Sequence, residues 1–517
     1  MDVNILIING KCLSMDCNIV YNWIGISNNR IVALGFGDEY KNVINHFERL
    51  IDAEGKTVLP GFIDSHFHMV QTALNRCFVD LSEAKSFKDI GDLIAEAGRS
   101  NPGSNVKGIR IDQNNLIEKR MPNRHEIDEF WNDTAVWLNS YDYVTSALNT
   151  YGLLYYKIPF TQVGVQYDDK NMPTGIFKLN ANAQLRANIL NEIDDFYRLD
   201  ALSKLMPHLA ANGLTTVNAV EGGVVYCDRD AAFIYDVIKH KRVYLDMELF
   251  FQTFDLERIQ EMGLKRVGGS LYVDGTFNSR AAAISFDYND AKGVRGTLNF
   301  TQDKLDMMVE QCYRRNLQLA LYTLGDRAID MALKAHERAV NLTGKTNLRH
   351  RLEHVELPTD EHIKMAKELG IIFSMQPTYE LIWGGPNKMY SQRLGDRYKD
   401  TNPLRKIIDG GVKICGGTDS DTTETNYIYA IYAAVNHSNP QHRIQVIEAI
   451  EMFTCNGAYA INKENEKGFL KIGYEADIVV LDDDIMSINK ENIKDIKVRT
   501  TIKLGKIIYE NGQFIEY

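Results

Sequence analysis

Between residues 58 and 450, short apolar runs alternate with long amphipathic segments, and this alternation limits the fold more than any other feature of the chain. Short apolar runs separated by helical patterns read as parallel strands, buried on both faces under crossover helices. Eight such runs end in polar residues: 58–63, 135–139, 214–220, 269–273, 317–322, 349–353, 371–375 and 412–415. Helical candidates lie between them at 199–212, 303–315, 326–341, 359–369 and 402–410. Eight strand–helix units predict an α/β fold, a (β/α)8 TIM barrel, with its active site at the C-terminal strand ends. The chain ends read differently. Short β-rich runs at 4–10, 19–27, 30–35 and 48–53 find counterparts at 477–481, 498–504 and 506–509. A small composite β-sandwich built from 1–57 and 466–517 is therefore expected, with the barrel spanning 58–465.

The polar residues at the strand ends carry the chemistry. The run Val58–Ile63 leads into Asp64-Ser65-His66-Phe67-His68, and on a strand the i, i+2 spacing puts both imidazoles on one face. Converging neutral imidazoles suit zinc and its neighbours. The third run meets Glu221-Gly222-Gly223, the fourth Asp274-Gly275, the sixth Arg349-His350-Arg351-Leu352-Glu353-His354, and the eighth Thr418-Asp419-Ser420-Asp421. Such donors can surround a divalent cation, which lowers the pKa of bound water toward about 7. Asp419 is the candidate carboxylate to take that water's proton and pass it to a leaving amine. Plainer readings stand beside these: a turn residue at Glu221, a helix cap at Asp421, and a core histidine at His354. Arg349, His350, Arg351 and Glu353 read as a structural ion network.

A net charge of −11 and a pI near 5.6 argue against nucleic acid or an anionic membrane as partner. No apolar stretch approaches the roughly 20 residues that span a bilayer, and Met1-Asp2-Val3-Asn4 lacks the basic start of a signal peptide. Seven cysteines without Cys-x-x-Cys spacing fit reduced thiols, so a cytoplasmic protein is expected.

Taken together, these motifs resemble the metal-dependent amidohydrolase superfamily, and within it amidohydrolase family 3, the branch with N-substituted formamide deformylases. The resemblance covers nearly the whole chain. It rests on Val58–His68 with Asp80-Leu81-Ser82, Gly213–Gly223, Asp274-Gly275-Thr276-Phe277, and Leu324-Gly325-Asp326-Arg327-Ala328-Ile329-Asp330. Arg349–His354, Ser374-Met375-Gln376-Pro377, Gly416–Asp421 and Tyr474-Glu475-Ala476-Asp477-Ile478 complete it. It implies a barrel with one or two divalent metals, usually zinc. His66, His68 and Asp419 would hold the more buried ion, Asp419 serving also as base. His354 would bind a second ion or polarise the substrate carbonyl.

Two departures bear on the metal count. Many relatives carry a bridging lysine just before the strand-four Asp-Gly, whereas here the stretch is Ser270-Leu271-Tyr272-Val273-Asp274; Glu221 could supply the missing carboxylate. Relatives usually carry histidine on strand five, where this chain has Tyr322, and a phenol with a pKa near 10 is a poor ligand. One tightly bound metal and a weakened second site are expected. The leading expectation is a hydrolase of non-peptide carbon–nitrogen bonds in a small amide, formamide or cyclic amide. Tyr322, Asp274 and Tyr379 are placed at the substrate pocket, and a homodimer is possible by analogy with relatives. The alternatives are an aminoheterocycle deaminase and a metal-depleted, non-catalytic barrel acting as a binding protein, for which Tyr322 and Ser270 speak.

Overall fold

Eight parallel strands lie side by side in chain order: β1 (Phe62–Phe67), β2 (Leu214–Glu221), β3 (Asp246–Phe251), β4 (Arg266–Tyr272), β5 (Gln318–Thr323), β6 (Arg351–His354), β7 (Ile372–Met375) and β8 (Ile414–Gly416). The last strand returns to the first. Phe67 bridges Ser420 in parallel, Asp419 N donates to the His66 carbonyl at 2.9 Å, and His68 N donates to the Ser420 carbonyl at 2.9 Å. This seam closes the sheet into the expected barrel and sets the end of β8 against the end of β1. The structure is a computed structural model describing all residues except 18, 142, 224–226 and 516–517.

Two compact units make up the chain. The first comprises 1–68, 206–221 and 234–517 and holds the barrel together with two further sheets built from both chain ends. One of these has four strands, Arg30–Gly35, Trp23–Ser27, Asp2–Ile8 and His46–Asp52. The other has seven, in which Ile478–Leu481 runs antiparallel to Thr57–Pro60. Ile5, Ile7, Ile24, Ile26, Val58, Ile478, Val480 and Ile502 bury one shared core between them, giving the composite sandwich. Gly61 is where the chain leaves this sandwich and enters β1. A Cβ there would sit 2.4 Å from the Thr215 side chain, so only glycine allows the crossing. The apolar run read as one strand over 58–63 is thus two strands in two sheets.

The second unit comprises 69–205 and 222–233. Its six-stranded sheet orders Val165–Tyr167, Pro173–Lys178, Thr145–Leu148, Val136–Ser140, Val106–Ile111 and Val79–Asp80. Here the reading of 135–139 as the second barrel strand is overturned, because Val136–Ser140 lies inside this sheet and is fully buried. The barrel strand overlooked is β3, Asp-Met-Glu-Leu-Phe-Phe. Asp246 and Glu248 break its apolar pattern, and both are satisfied outside the barrel core: Asp246 by Lys503 at 2.7 Å and by Lys467, Glu248 by Arg266 at 2.7 Å. The run ending in Glu221 is consequently barrel strand two. Among the described residues no helix is long and apolar enough to cross a membrane.

Candidate metal centre

His66 and His68 leave the end of β1 on one face, and the seam with β8 brings Asp419 to them. His68 Nε2 lies 3.2 Å and His66 Nε2 3.6 Å from Asp419 Oδ1. His354 closes β6, and its ring lies 5.1 Å from that of His66, centroid to centroid. Donor atoms of His66, His354 and Asp419 all fall within 4.8 Å of one another. Their backbone is strained: His354 and Asp419 hold φ of 72° and 50°, left-handed values unusual for such residues.

Each imidazole is oriented from behind. Glu353 Oε2 accepts from His66 Nδ1 at 2.7 Å, and Arg351 Nε donates to Glu353 Oε1 at 2.7 Å. The Val220 carbonyl accepts from His68 Nδ1 at 2.7 Å. With Nδ1 carrying the proton in both rings, Nε2 presents a lone pair toward Asp419, the arrangement that metal-binding histidines need. Burial works against the charged form of Glu353, yet the Arg351 guanidinium and His66 hold its carboxyl down to about 2. Burial also opposes ionisation of Asp419, but His68, His66 and His354 keep it well below the usual carboxylate range. Burial holds the proton affinity of His68 down, and it is nonetheless raised by Asp419, Glu221 and the Val220 carbonyl. His354 is pushed down to about 3, chiefly by burial, so it is neutral.

The donor set fits a divalent cation. Both ring nitrogens of His354 are buried and, among the described residues, lack a hydrogen-bond partner, which is costly for a core histidine and natural for a ligand. Three imidazoles and an ionised carboxylate form the mixed nitrogen–oxygen set that zinc favours. A second acidic cluster, Asp246, Glu475 and Asp477, is instead neutralised by Lys467 and Lys503.

The remaining expected residues fall as follows. Glu221 ends β2, buried, and acts on His68 through its charge. Tyr322 on β5 packs its ring 4.3 Å from His354, and burial keeps its phenol protonated. Tyr379 follows β7, stacks on His354 and donates its hydroxyl to Asp419 Oδ2. Asp274 is held away from solvent by the backbone amides of Ala283 (2.8 Å), Leu324 (3.0 Å) and Gly325 (2.8 Å), which fixes the loops after β4 and β5. Burial lifts it to about 7 despite those bonds.

Asp64 went unrecognised in the sequence, and the place of Arg351, Glu353 and Ser270 around His66 was not read there. Arg351 and Glu353 form the buried ion pair expected of a structural network, and that pair also supports His66 from behind, while Arg349 pairs elsewhere, with Glu464 at 2.6 Å. Asp64 ties β1 to the end of β8, accepting from Thr418 Oγ1 at 2.7 Å and from Tyr427 at 3.0 Å. It shares the strand parity of His66 and His68, and that was its available signal. Ser270, on β4, points Oγ to within 3.3 Å of His66 Nε2, so the barrel-facing side chain there is a hydroxyl.

Residues 49–509 match the profile of the amidohydrolase family, amidohydrolase 3. The chain is 24% identical to an N-substituted formamide deformylase of Arthrobacter pascens across 98% of both proteins. It is also 24% identical to Protein LONG AFTER FAR-RED 3 of Arabidopsis thaliana, over 92% of this chain and 87% of that one. A metal-dependent hydrolase of Pyrococcus furiosus shares the fold with a TM-score of 0.77 and 24% identity, over 93% of this chain and all of that one. The chain therefore belongs to the amidohydrolase family and is a hydrolase of carbon–nitrogen bonds.

Proposed function

We propose that this protein uses a divalent metal, zinc, to hydrolyse a small N-substituted amide or formamide with an apolar or aromatic substituent. The reading rests above all on the convergence of His66, His68 and His354 on Asp419, with the His354 nitrogens left unbonded. His66, His68, His354 and Asp419 would hold the ion, with Glu221 a further candidate ligand. Such an ion supplies Lewis acidity, polarising a carbonyl and acidifying water.

The chain's own groups do the rest. Asp419 faces the imidazoles through Oδ1 and accepts the Tyr379 hydroxyl on Oδ2, which fixes its carboxylate in position to take the proton given up by the attacking water. Delivered to the departing nitrogen, that proton converts a poor leaving group into a neutral amine. The neighbouring aromatics favour an apolar substituent: Tyr272 lies 4.2 Å from Tyr322, and Trp383 lies 4.4 Å from Tyr379, ring centroid to centroid. The formamide-deformylase relative points the same way, and Tyr322 at the strand-five position speaks against aminoheterocycle deamination.

The test is metal content before and after zinc reconstitution, joined to a screen of N-benzyl formamides, cyclic amides and aminopurines. Near-stoichiometric metal with formate or carboxylate release supports the reading. Ammonia release from aminopurines alone, or metal well under one equivalent after reconstitution, overturns it.

A further inference from the structure

Val106–Ile111 is an inner strand of the second unit's sheet, flanked by Val136–Ser140 and Val79–Asp80, and it carries a lysine at its second position. Lysine on an inner strand places an ammonium where water is scarce. Lys107 opens onto a cavity of about 690 Å³, whose lining also includes Phe78, Asn105, Tyr155, Glu192 and Tyr197. All of these residues belong to one unit.

Glu192, at the end of the helix Leu179–Glu192, is the countercharge that Lys107 feels across this cavity. The two do not meet: among the described residues neither side chain has an ion pair or a hydrogen bond. Burial lowers the Lys107 ammonium and raises the Glu192 carboxyl, each only partly offset by the other. The ammonium instead lies 5.9 Å from the centroid of the Phe78 ring. Tyr155 and Tyr197 are 46% and 40% exposed at the same cavity, more than such side chains gain by facing water. Lys107 and Glu192, with Arg76 and Asp194 also in the lining and likewise in no ion pair among the described residues, and three aromatic faces thus surround a space large enough for a small molecule.

We propose that this cavity binds a small zwitterion carrying both carboxylate and ammonium, an aromatic α-amino acid being the fitting class. Its carboxylate would meet Lys107, its ammonium Glu192, and its ring the faces of Phe78, Tyr155 and Tyr197. The site is separate from the metal centre and owes nothing to the reading of the substrate.

Calorimetric titration of the full-length protein with L-phenylalanine, 3-phenylpropionate and phenethylamine tests the proposal. Saturable binding of phenylalanine at one site per chain is expected. The two single-charge analogues should bind about two- to fivefold more weakly, since Glu192 is exposed and Lys107 only partly buried, and charge pairs of that kind are worth little more. Lys107→Met and Glu192→Gln should each weaken phenylalanine by a similar factor with an unchanged melting temperature, and His66→Ala should leave binding intact. No saturable binding to the wild-type protein overturns the proposal, whatever the variants do. So does equal binding of all three probes, or binding that survives Lys107→Met.

Discussion

Asp419 is the residue on which the proposed chemistry turns. Asp419→Asn keeps a weak oxygen donor but cannot accept a proton, so turnover should fall by about 10²- to 10⁴-fold while metal content is largely kept. Near wild-type kcat in that variant would place the base elsewhere. Glu353 acts one shell further out, through His66. Glu353→Gln should weaken metal affinity by about 10- to 100-fold in a competitive chelator titration, because the His66 tautomer is no longer enforced. Unchanged affinity would reduce Glu353 to a partner of Arg351. The unequal legibility of these residues has a physical source. His66 and His68 stand out because strand geometry converts two positions of spacing into one shared face, a local rule. Glu353 was legible as part of an ion network, but its bond to His66 was not, because that partner lies 287 residues away in the chain and no local pattern reports such a meeting. Tyr379 was placed near substrate by its position in the segment after the seventh strand, and its bond to Asp419 is visible only once β7 and β8 are neighbours.

Among the elements, the strongest strands were found by their apolar character, and the same criterion produced the errors. β3 hides behind Asp246 and Glu248, whereas Val136–Ser140, whose apolar residues follow Ala135 without an intervening charge, serves a different sheet. Apolarity reports burial on both faces, not which sheet provides it. The helices Gln302–Arg315 and Asp326–Thr343 were legible, and a histidine of the second packs against the first. His336 is fully buried, bonded through Nδ1 to the Tyr313 hydroxyl at 3.1 Å, with its ring tilted against that of His350 at 5.0 Å. Burial pushes its pKa down to about 3. In the unfolded chain it titrates near 6.5. As pH falls below that value the unfolded state gains a proton that the folded state refuses, so stability is flat above about 6.5 and declines toward 3. The slope is about 1.4 kcal/mol per pH unit for one such group. Urea unfolding at several pH values should show a shallower acid limb for His336→Gln than for wild type. An identical limb would mean that the ring is already charged in the fold.

For the molecule as a whole, the ion would join β1, β6 and β8, strands far apart in sequence, and would stabilise only the closed barrel. Metal at about a thousandfold over its dissociation constant adds about 4 kcal/mol. Removal by chelator should therefore lower the melting temperature by several degrees and zinc should restore it, while a melting curve indifferent to both would mean that closure does not depend on the centre. The sandwich carries a different consequence. Thr57–Pro60, which hands the chain to β1 at Gly61, has Ile478–Leu481 as its antiparallel neighbour. On the ribosome the first of these emerges more than four hundred residues before the second, which at ~5–20 residues per second is tens of seconds. Throughout that interval Thr57–Pro60 lacks its antiparallel neighbour, and the nascent layer presents a bare β edge open to pairing with other chains.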